Sequence, residues 1–139
     1  MQDRDFYNYQ RILSGYPSIS FMLLGFHITV TIAGLAGLFV LMRSDIPPQQ
    51  IISWVTVLAF LITFVTVMLW LMWFREHILK DQVVTELLKE KVRFPETTAW
   101  NGVVTAMHTG FYMLGIVFWG SLIVVAIANP QWLLKKFGL

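Results

Sequence analysis

His27 and His108 have the clearest capacity for chemistry in this sequence, because each lies inside a long uncharged apolar segment. Neutral imidazole ligates metals, exchanges protons near neutral pH and forms hydrogen bonds through both ring nitrogens. His27 lies eight residues beyond residue 19 and His108 five beyond residue 103. At a rise of about 1.5 Å per residue, their depths are about 12 Å and 8 Å, so they could serve one site.

Three interpretations of this histidine pair are compatible with the sequence. The pair could ligate a haem b, form a proton or quinone site, or make hydrogen bonds between helices, for example from His108 to Thr31 or from His27 to Tyr112. Helices in contact lie only about 8–10 Å apart, which leaves no room for a porphyrin unless they splay or a partner chain supplies one ligand. The pattern therefore favours hydrogen-bonded packing.

In architecture alone, the chain resembles the membrane anchors of succinate dehydrogenase, in which two small three-span chains carry buried haem-ligating histidines. The similarity covers chain length, number of spans and the depth of His27 and His108. It implies haem b and a place in electron transport. The anchors' longer signatures around these histidines are absent, and the segment after residue 74 lies outside that pattern.

Most other chemistry is excluded by what the sequence lacks. There is no cysteine, and therefore no disulfide, thiolate metal site or cysteine nucleophile. None of the apolar segments contains Asp or Glu, and no GxSxG, HExxH or P-loop pattern occurs. The net charge of +2, without a basic stripe interleaved with aromatic residues, gives no sign of nucleic-acid binding. We therefore expect a non-catalytic chain.

The histidines must be positioned by membrane-spanning helices. The chain is 57% hydrophobic with a mean hydropathy of +0.67, more apolar than a soluble domain of 139 residues. Residues 19–42, 51–74 and 103–128 each exceed the roughly 20 residues needed to cross an apolar layer about 30 Å thick. Lipid offers the backbone no hydrogen bonds, so each must be helical. The tryptophans expected in an interfacial belt near the span ends are Trp54, Trp73, Trp100 and Trp132.

The two connections between the spans differ. Residues 43–50 contain two consecutive prolines and predict a tight turn, which makes the first two spans an antiparallel hairpin. Residues 75–98 carry opposite charges at helical spacing in three pairs, Glu76 with Lys80, Glu86 with Lys89 and Glu90 with Arg93. The second span should therefore continue as a helix of about 60 Å, roughly twice the apolar thickness.

The predicted fold is all-α, with three transmembrane helices of which the second extends into a long cytoplasmic helix. Seven of the ten Lys and Arg residues lie before the first span or between the second and third, so the positive-inside rule puts the N-terminus in and the C-terminus out. The expected membrane is the bacterial inner membrane. The expected segments are an interfacial segment 1–18, spans 19–42 and 51–74, a cytoplasmic extension and turn 75–98, a third span 99–128 and a tail 129–139.

Two surfaces are candidates for binding partners. On the extension, Leu79, Val83 and Leu87 form an apolar stripe that must be covered. Its cover is either the chain's own residues 6–13 or a partner, including a soluble cytoplasmic subunit. Within the membrane, small and hydroxyl residues are typical of helix contacts, in this chain or with partner helices. The residues selected on this basis are Gly34, Thr66 and Gly115.

The sequence therefore predicts a non-catalytic accessory subunit of a multi-subunit complex in the lipid bilayer, contacting other membrane subunits and a soluble component. One alternative is a haem b- or quinone-binding membrane anchor of a respiratory oxidoreductase, with His27 and His108 as the cofactor-binding residues. A second alternative is a self-associating channel or carrier. The main prediction includes no cofactor.

Overall fold

The computed structural model describes residues 3–89 and 98–138, and the side chains within 7–89 and 102–138. The elements in these ranges are all helices, and three of them are long and apolar enough to cross a membrane. The prediction of an all-α chain with three candidate spans is therefore confirmed. The helices are α1 (Asp3–Met42), α2 (Pro48–Lys89), α3 (Thr98–Ala128) and α4 (Pro130–Phe137).

Each long helix buries one stripe of residues spaced alternately three and four apart. In α2, for example, the stripe includes Ala59, Ile62, Thr66, Leu69 and Trp73. This spacing is typical of helices that cross at about 20° in a left-handed bundle, because it keeps one face turned toward the partner. Both α1 and α3 pack along α2, whereas the backbones of α1 and α3 approach each other at few positions. The inside of the bundle is therefore formed on one face of α2.

Helices α1 and α2 are antiparallel and pack along each other. From Tyr16 to His27, each step along α1 is matched by an equal step back along α2, from His77 to Thr66. The turn between them is short, and α2 begins at Pro48, where proline is well tolerated because the first turn of a helix needs no backbone N–H. The side-chain hydrogen bonds that define the register are Tyr16 with His77 (3.1 Å), Trp73 with Ser20 (3.0 Å) and Thr66 with His27 (3.4 Å).

The apolar stripe on the extension of α2 is covered largely by this chain. Val83 is only 6% exposed and Leu87 2%, whereas Leu79 is 37% exposed. Both residues are thus covered by other parts of this chain, and the spacing of the α1–α2 hydrogen bonds, continued along both helices, places Val83 near residue 10 of α1.

Helix α1 is continuous from Asp3 to Met42, with no break at residue 18, where the sequence suggested a separate interfacial segment. Pro17 lies inside it and removes one backbone hydrogen bond, a change that costs about 3 kcal/mol in a helix interior. Pairing with α2 on both sides of Pro17 offsets that cost. We call the paired segments 3–18 of α1 and 75–89 of α2 the projection.

The residues after α3, the predicted C-terminal tail, contain the short helix α4. The side chain of Asn129 accepts a hydrogen bond from the backbone N–H of Trp132 at 3.1 Å, and α4 ends at Gly138 with φ of 76°, a conformation that favours glycine. Leu133 is buried in one cluster with Ile51 and Val55 of α2. Helix α4 therefore packs against the end of the bundle where α1 and α2 are joined.

Candidate functional site

The first polar layer inside the bundle joins all three long helices around Ser20. Its side-chain oxygen lies 2.9 Å from Nε2 of His108 and accepts a hydrogen bond from Nε1 of Trp73 at 3.0 Å. Nδ1 of His108 lies 2.8 Å from the carbonyl oxygen of Val104, which can only accept. Nε2 also lies 3.3 Å from the carbonyl oxygen of Ser20. The shorter carbonyl contact, at Nδ1, favours the neutral tautomer with its proton on Nδ1, in which the Ser20 hydroxyl donates to Nε2. Every polar atom of this layer is satisfied.

The second layer contains His27, one to two turns further along α1. Oγ1 of Thr66 lies 3.4 Å from Nδ1 of His27, and the Tyr112 ring packs on the imidazole with centroids 5.0 Å apart. Gly115 makes room for the ring, because a Cβ at this position would lie 2.7 Å from Cε1 of His27. The residues Thr66 and Gly115, selected from sequence for helix contacts, thus contact a histidine of their own chain.

The third layer pairs Gly34 of α1 with Trp119 of α3. A Cβ at Gly34 would lie 2.8 Å from Cζ2 of Trp119 and would also meet the side chain of Ile62. The indole ring, fully buried, therefore occupies the space that the glycine leaves. All three small residues selected from sequence contact side chains of this chain, and their predicted role toward partner helices stays a prediction.

Aromatic rings connect the layers. Trp73 is stacked on His108 with centroids 5.6 Å apart, and on His77 with centroids 5.3 Å apart. Its ring also lies 6.2 Å from that of Tyr112, which in turn contacts His27. Trp73 is 2% exposed and belongs to the inside of the bundle, so its assignment to an interfacial belt was wrong. Because Trp73 has apolar neighbours in the sequence, the sequence alone does not distinguish a tryptophan inside the bundle from one at the membrane interface.

The two histidines do not face one common space. The hydrogen bonds suggested as examples, His108 to Thr31 and His27 to Tyr112, are not the ones formed, because the register puts Ser20 and Thr66 at these positions. Both ring nitrogens of His108 already have partners, and an iron at Nε2 would have to displace the Ser20 hydroxyl. The residues present therefore do not fit a haem held between His27 and His108.

A charged cluster lies next to the first layer, beyond the apolar run of α2. His77 contacts the Tyr16 hydroxyl through Nδ1 at 3.1 Å and the Asp81 carboxylate through Nε2 at 3.4 Å. Nζ of Lys80 lies 3.1 Å from Asp81 and 4.9 Å from the centre of the Tyr16 ring. Lys80 is only 8% exposed, so its stem covers apolar surface between the helices.

Two charge pairs predicted on this segment have different outcomes. Lys80 turns toward Asp81, so the predicted pair with Glu76 is wrong, and Glu76 pairs instead with Arg75 at 3.0 Å. The cause is the Tyr16 ring, which attracts the ammonium group toward α1. The predicted pair of Glu86 with Lys89 is confirmed at 2.7 Å, and a third predicted pair, of residues 90 and 93, lies outside the described residues.

On the membrane-facing side of the layers, α1 and α3 diverge and leave a cleft of about 370 Å³, which we call the lateral cleft. His27, Thr31 and Trp119 are the lining residues with polar side-chain atoms. Oγ1 of Thr31 and Nε1 of Trp119 are both buried without a hydrogen-bond partner. The sequence did not predict this cleft, because it lies between two separate helices. The remaining lining is apolar and includes Ile32, Leu114 and Phe118.

Among the described residues, no group of three or more His, Cys, Asp and Glu side chains is close enough to hold a metal ion. Comparisons of the chain with protein-family models, characterised proteins and solved structures give no match. The features of the molecule that can indicate a function are therefore the three layers, the projection and the lateral cleft.

Proposed function

We propose that this chain is a non-catalytic accessory subunit of a multi-subunit membrane complex, in which three spans hold the projection in place for a partner. The observation that supports this role is the length of the paired helices. At about 1.5 Å per residue, α1 and α2 are each about 60 Å long, whereas the apolar layer is about 30 Å thick. Roughly half of each helix therefore lies beyond the membrane.

The projection is built as a stable pair of helices. Its apolar inner stripe is buried at Val83 and Leu87, and the Tyr16 and His77 side chains join its base. A helix pair that covers its own apolar stripe can extend into water without unfolding, which a single apolar-striped helix cannot. The projection thus supplies a rigid surface at a distance from the bilayer.

The tip of the projection is where we propose that a soluble component docks. Leu88 is 60% exposed and Tyr7 is 73% exposed. The register places Tyr7 opposite residue 86, so both side chains lie at the same end of the helix pair. This location replaces the docking stripe of Leu79, Val83 and Leu87 expected from sequence, because Val83 and Leu87 are buried against α1. The excess of Lys and Arg on this side of the spans supports a cytoplasmic location.

Native gels of membranes extracted in a mild detergent test this role. The wild-type chain should migrate in a species much larger than one subunit, and Leu88→Asp or Tyr7→Asp should release it as a small species that is still inserted. Thr85→Asp is the matched control, because Thr85 is exposed on the same segment and its hydroxyl bonds only to its own helix, at the carbonyl of Asp81. A wild type that already migrates as a single chain would refute the subunit role.

The two alternatives receive different support. The haem-anchor alternative is not favoured, because both ring nitrogens of His108 already have hydrogen-bond partners. An optical spectrum of the purified chain tests it: a Soret band that is lost in His108→Ala would restore that alternative. For a self-associating channel or carrier, the pathway would have to lie between copies of the chain, because Trp73, Tyr112 and Trp119 fill the inside of the described bundle. A quinone site keeps one supporting observation, the place of His27 on the lateral cleft.

A further inference from the structure

The lateral cleft has the size and position of a ligand site that opens to lipid. Its volume of about 370 Å³ falls within the range of about 300–1,000 Å³ typical of small-molecule sites. Three of its apolar lining residues, Ile32, Leu114 and Phe118, are 46% to 69% exposed and belong to the membrane-spanning parts of α1 and α3. A molecule dissolved in the bilayer can therefore reach the cleft sideways, without passing through water.

Two buried hydrogen-bonding groups at this cleft lack partners. Nε1 of Trp119 can only donate, and the Thr31 hydroxyl both donates and accepts. Other hydroxyls in these helices bond back to their own backbone: Thr29 donates to the Gly25 carbonyl at 2.9 Å and Thr63 to that of Ala59 at 2.8 Å. In hydrocarbon no water replaces a missing partner, so the free energy of the bundle falls when an acceptor reaches the Trp119 N–H.

The depth of these groups restricts what the acceptor can be. Thr31 has twelve residues of the first apolar run before it and eleven after it, and Trp119 lies nine residues before Ala128. Both are thus about 13 Å or more from the nearer end of the apolar layer. The ester carbonyls of a phospholipid are held at the interface by a polar headgroup. The acceptor must instead belong to a neutral molecule whose polar part can enter the hydrocarbon.

We propose that the lateral cleft binds an isoprenoid quinone. The ring carbonyls of a quinone are hydrogen-bond acceptors without charge, which suits the Trp119 N–H and the Thr31 hydroxyl. The imidazole of His27 lies on the same cleft and can act as a further donor or acceptor toward the ring. The apolar tail would remain among Ile32, Leu114 and the surrounding lipid. This inference goes beyond the accessory role, and binding at the cleft requires no contact with the projection.

The test measures binding of a short-chain quinone, ubiquinone with one isoprene unit, to the full chain in phosphatidylcholine nanodiscs that contain no other quinone. Trp119→Phe removes the N–H and keeps an aromatic ring, and Thr31→Val removes the hydroxyl at nearly constant volume. Each should weaken binding about tenfold, the effect of losing one buried hydrogen bond. Trp54→Phe and Thr29→Val are the matched controls, because both residues are exposed and neither lines the cleft.

A second measurement separates a ligand site from a purely structural role. Without quinone, Thr31→Val should unfold at the same or a higher temperature than the wild type, because it removes a buried hydroxyl that has no partner. Trp119→Phe should unfold at a lower temperature, because the smaller ring no longer fills the buried space beside Gly34. Unchanged quinone affinity in both variants would overturn the proposal. So would equally strong binding of methyl palmitate, which offers one ester carbonyl and no ring, because the cleft would then be a general lipid site. Neither result depends on how the chain migrates in native gels.

Discussion

The side-chain oxygen of Ser20 lies 2.9 Å from Nε2 of His108, and this contact links α1 to α3 across helices whose backbones are otherwise mostly apart. Because the same oxygen accepts the Trp73 N–H, one hydroxyl group connects all three long helices. The polar side chains that look like a reactive constellation in the sequence are thus used mainly to join helices.

Ser20→Ala should reduce the free energy of unfolding by about 1–3 kcal/mol, because it removes the hydroxyl that accepts the Trp73 N–H and contacts Nε2 of His108 inside the bundle. Unfolding of the purified chain in increasing denaturing detergent measures this change. Ser18→Ala is the control, since Ser18 is exposed two residues away on the same helix. Equal stability of the two variants would show that the hydrogen bonds around Ser20 contribute little.

Gly115→Ala should destabilise the bundle by about 1–3 kcal/mol, because the added methyl group would overlap the His27 ring, 2.7 Å from Cε1. At Gly110, one and a half turns earlier on α3, a Cβ would meet nothing within 4 Å. Gly110→Ala should therefore be neutral or stabilising by about 0.5–1 kcal/mol, the ordinary preference of a helix for alanine. Opposite signs in the same unfolding assay are expected, and a loss of stability in both variants would contradict the close approach.

Val83→Asp should open the projection without disturbing the spans, because an unpaired carboxylate would be buried against α1 at a cost of several kcal/mol. Amide hydrogen exchange should be slow through residues 86–88 in the wild type and fast there, and in residues 7–13, in the variant. Thr85→Asp, on the exposed face, should keep the slow exchange. Unchanged protection of α1 in Val83→Asp would mean that the two segments are not paired in solution.

The orientation in the membrane is accessible because the chain contains no cysteine, so that any introduced thiol is the only one. Asp45→Cys in the first turn and Thr85→Cys on the projection are both at exposed positions. A thiol reagent that does not cross membranes should label position 45 from outside and position 85 only after the membrane is opened, as the Lys and Arg distribution predicts. The reverse pattern would invert the proposed topology and place the projection outside the cell.

The elements of this fold follow from the sequence, but their partners do not. Long uncharged runs predict spans because lipid leaves the backbone no alternative to a helix, and the helical continuation after residue 74 is visible in its charge spacing. Which side chains meet depends on the register between helices, which shifts by one turn at small cost in a uniformly apolar stripe. This uncertainty led to Thr31 and Tyr112 instead of Ser20 and Thr66 as the histidines' hydrogen-bond partners.

The lateral cleft and the position of Lys80 show a second reason why the sequence alone does not predict the site. The cleft lies between α1 and α3, two helices whose backbones approach each other at few positions. No single segment of the sequence carries that information. For Lys80 the sequence offers Glu76 as a partner on the same helix. In the structure the Lys80 ammonium group lies near the Tyr16 ring of α1 instead.

The packing of α1 and α3 on one face of α2 also bears on how this sequence can change over time. A substitution on the buried stripe of α2 alters two helix contacts at once, whereas one on α1 or α3 mostly alters a single contact. Random substitution should therefore be tolerated least along positions such as Ala59, Ile62 and Thr66. The opposite face of the same helix, which includes Phe60 and Phe64, should accept most apolar residues. Related chains would then share one narrow strip of α2 long after the rest of their membrane-facing surface had diverged.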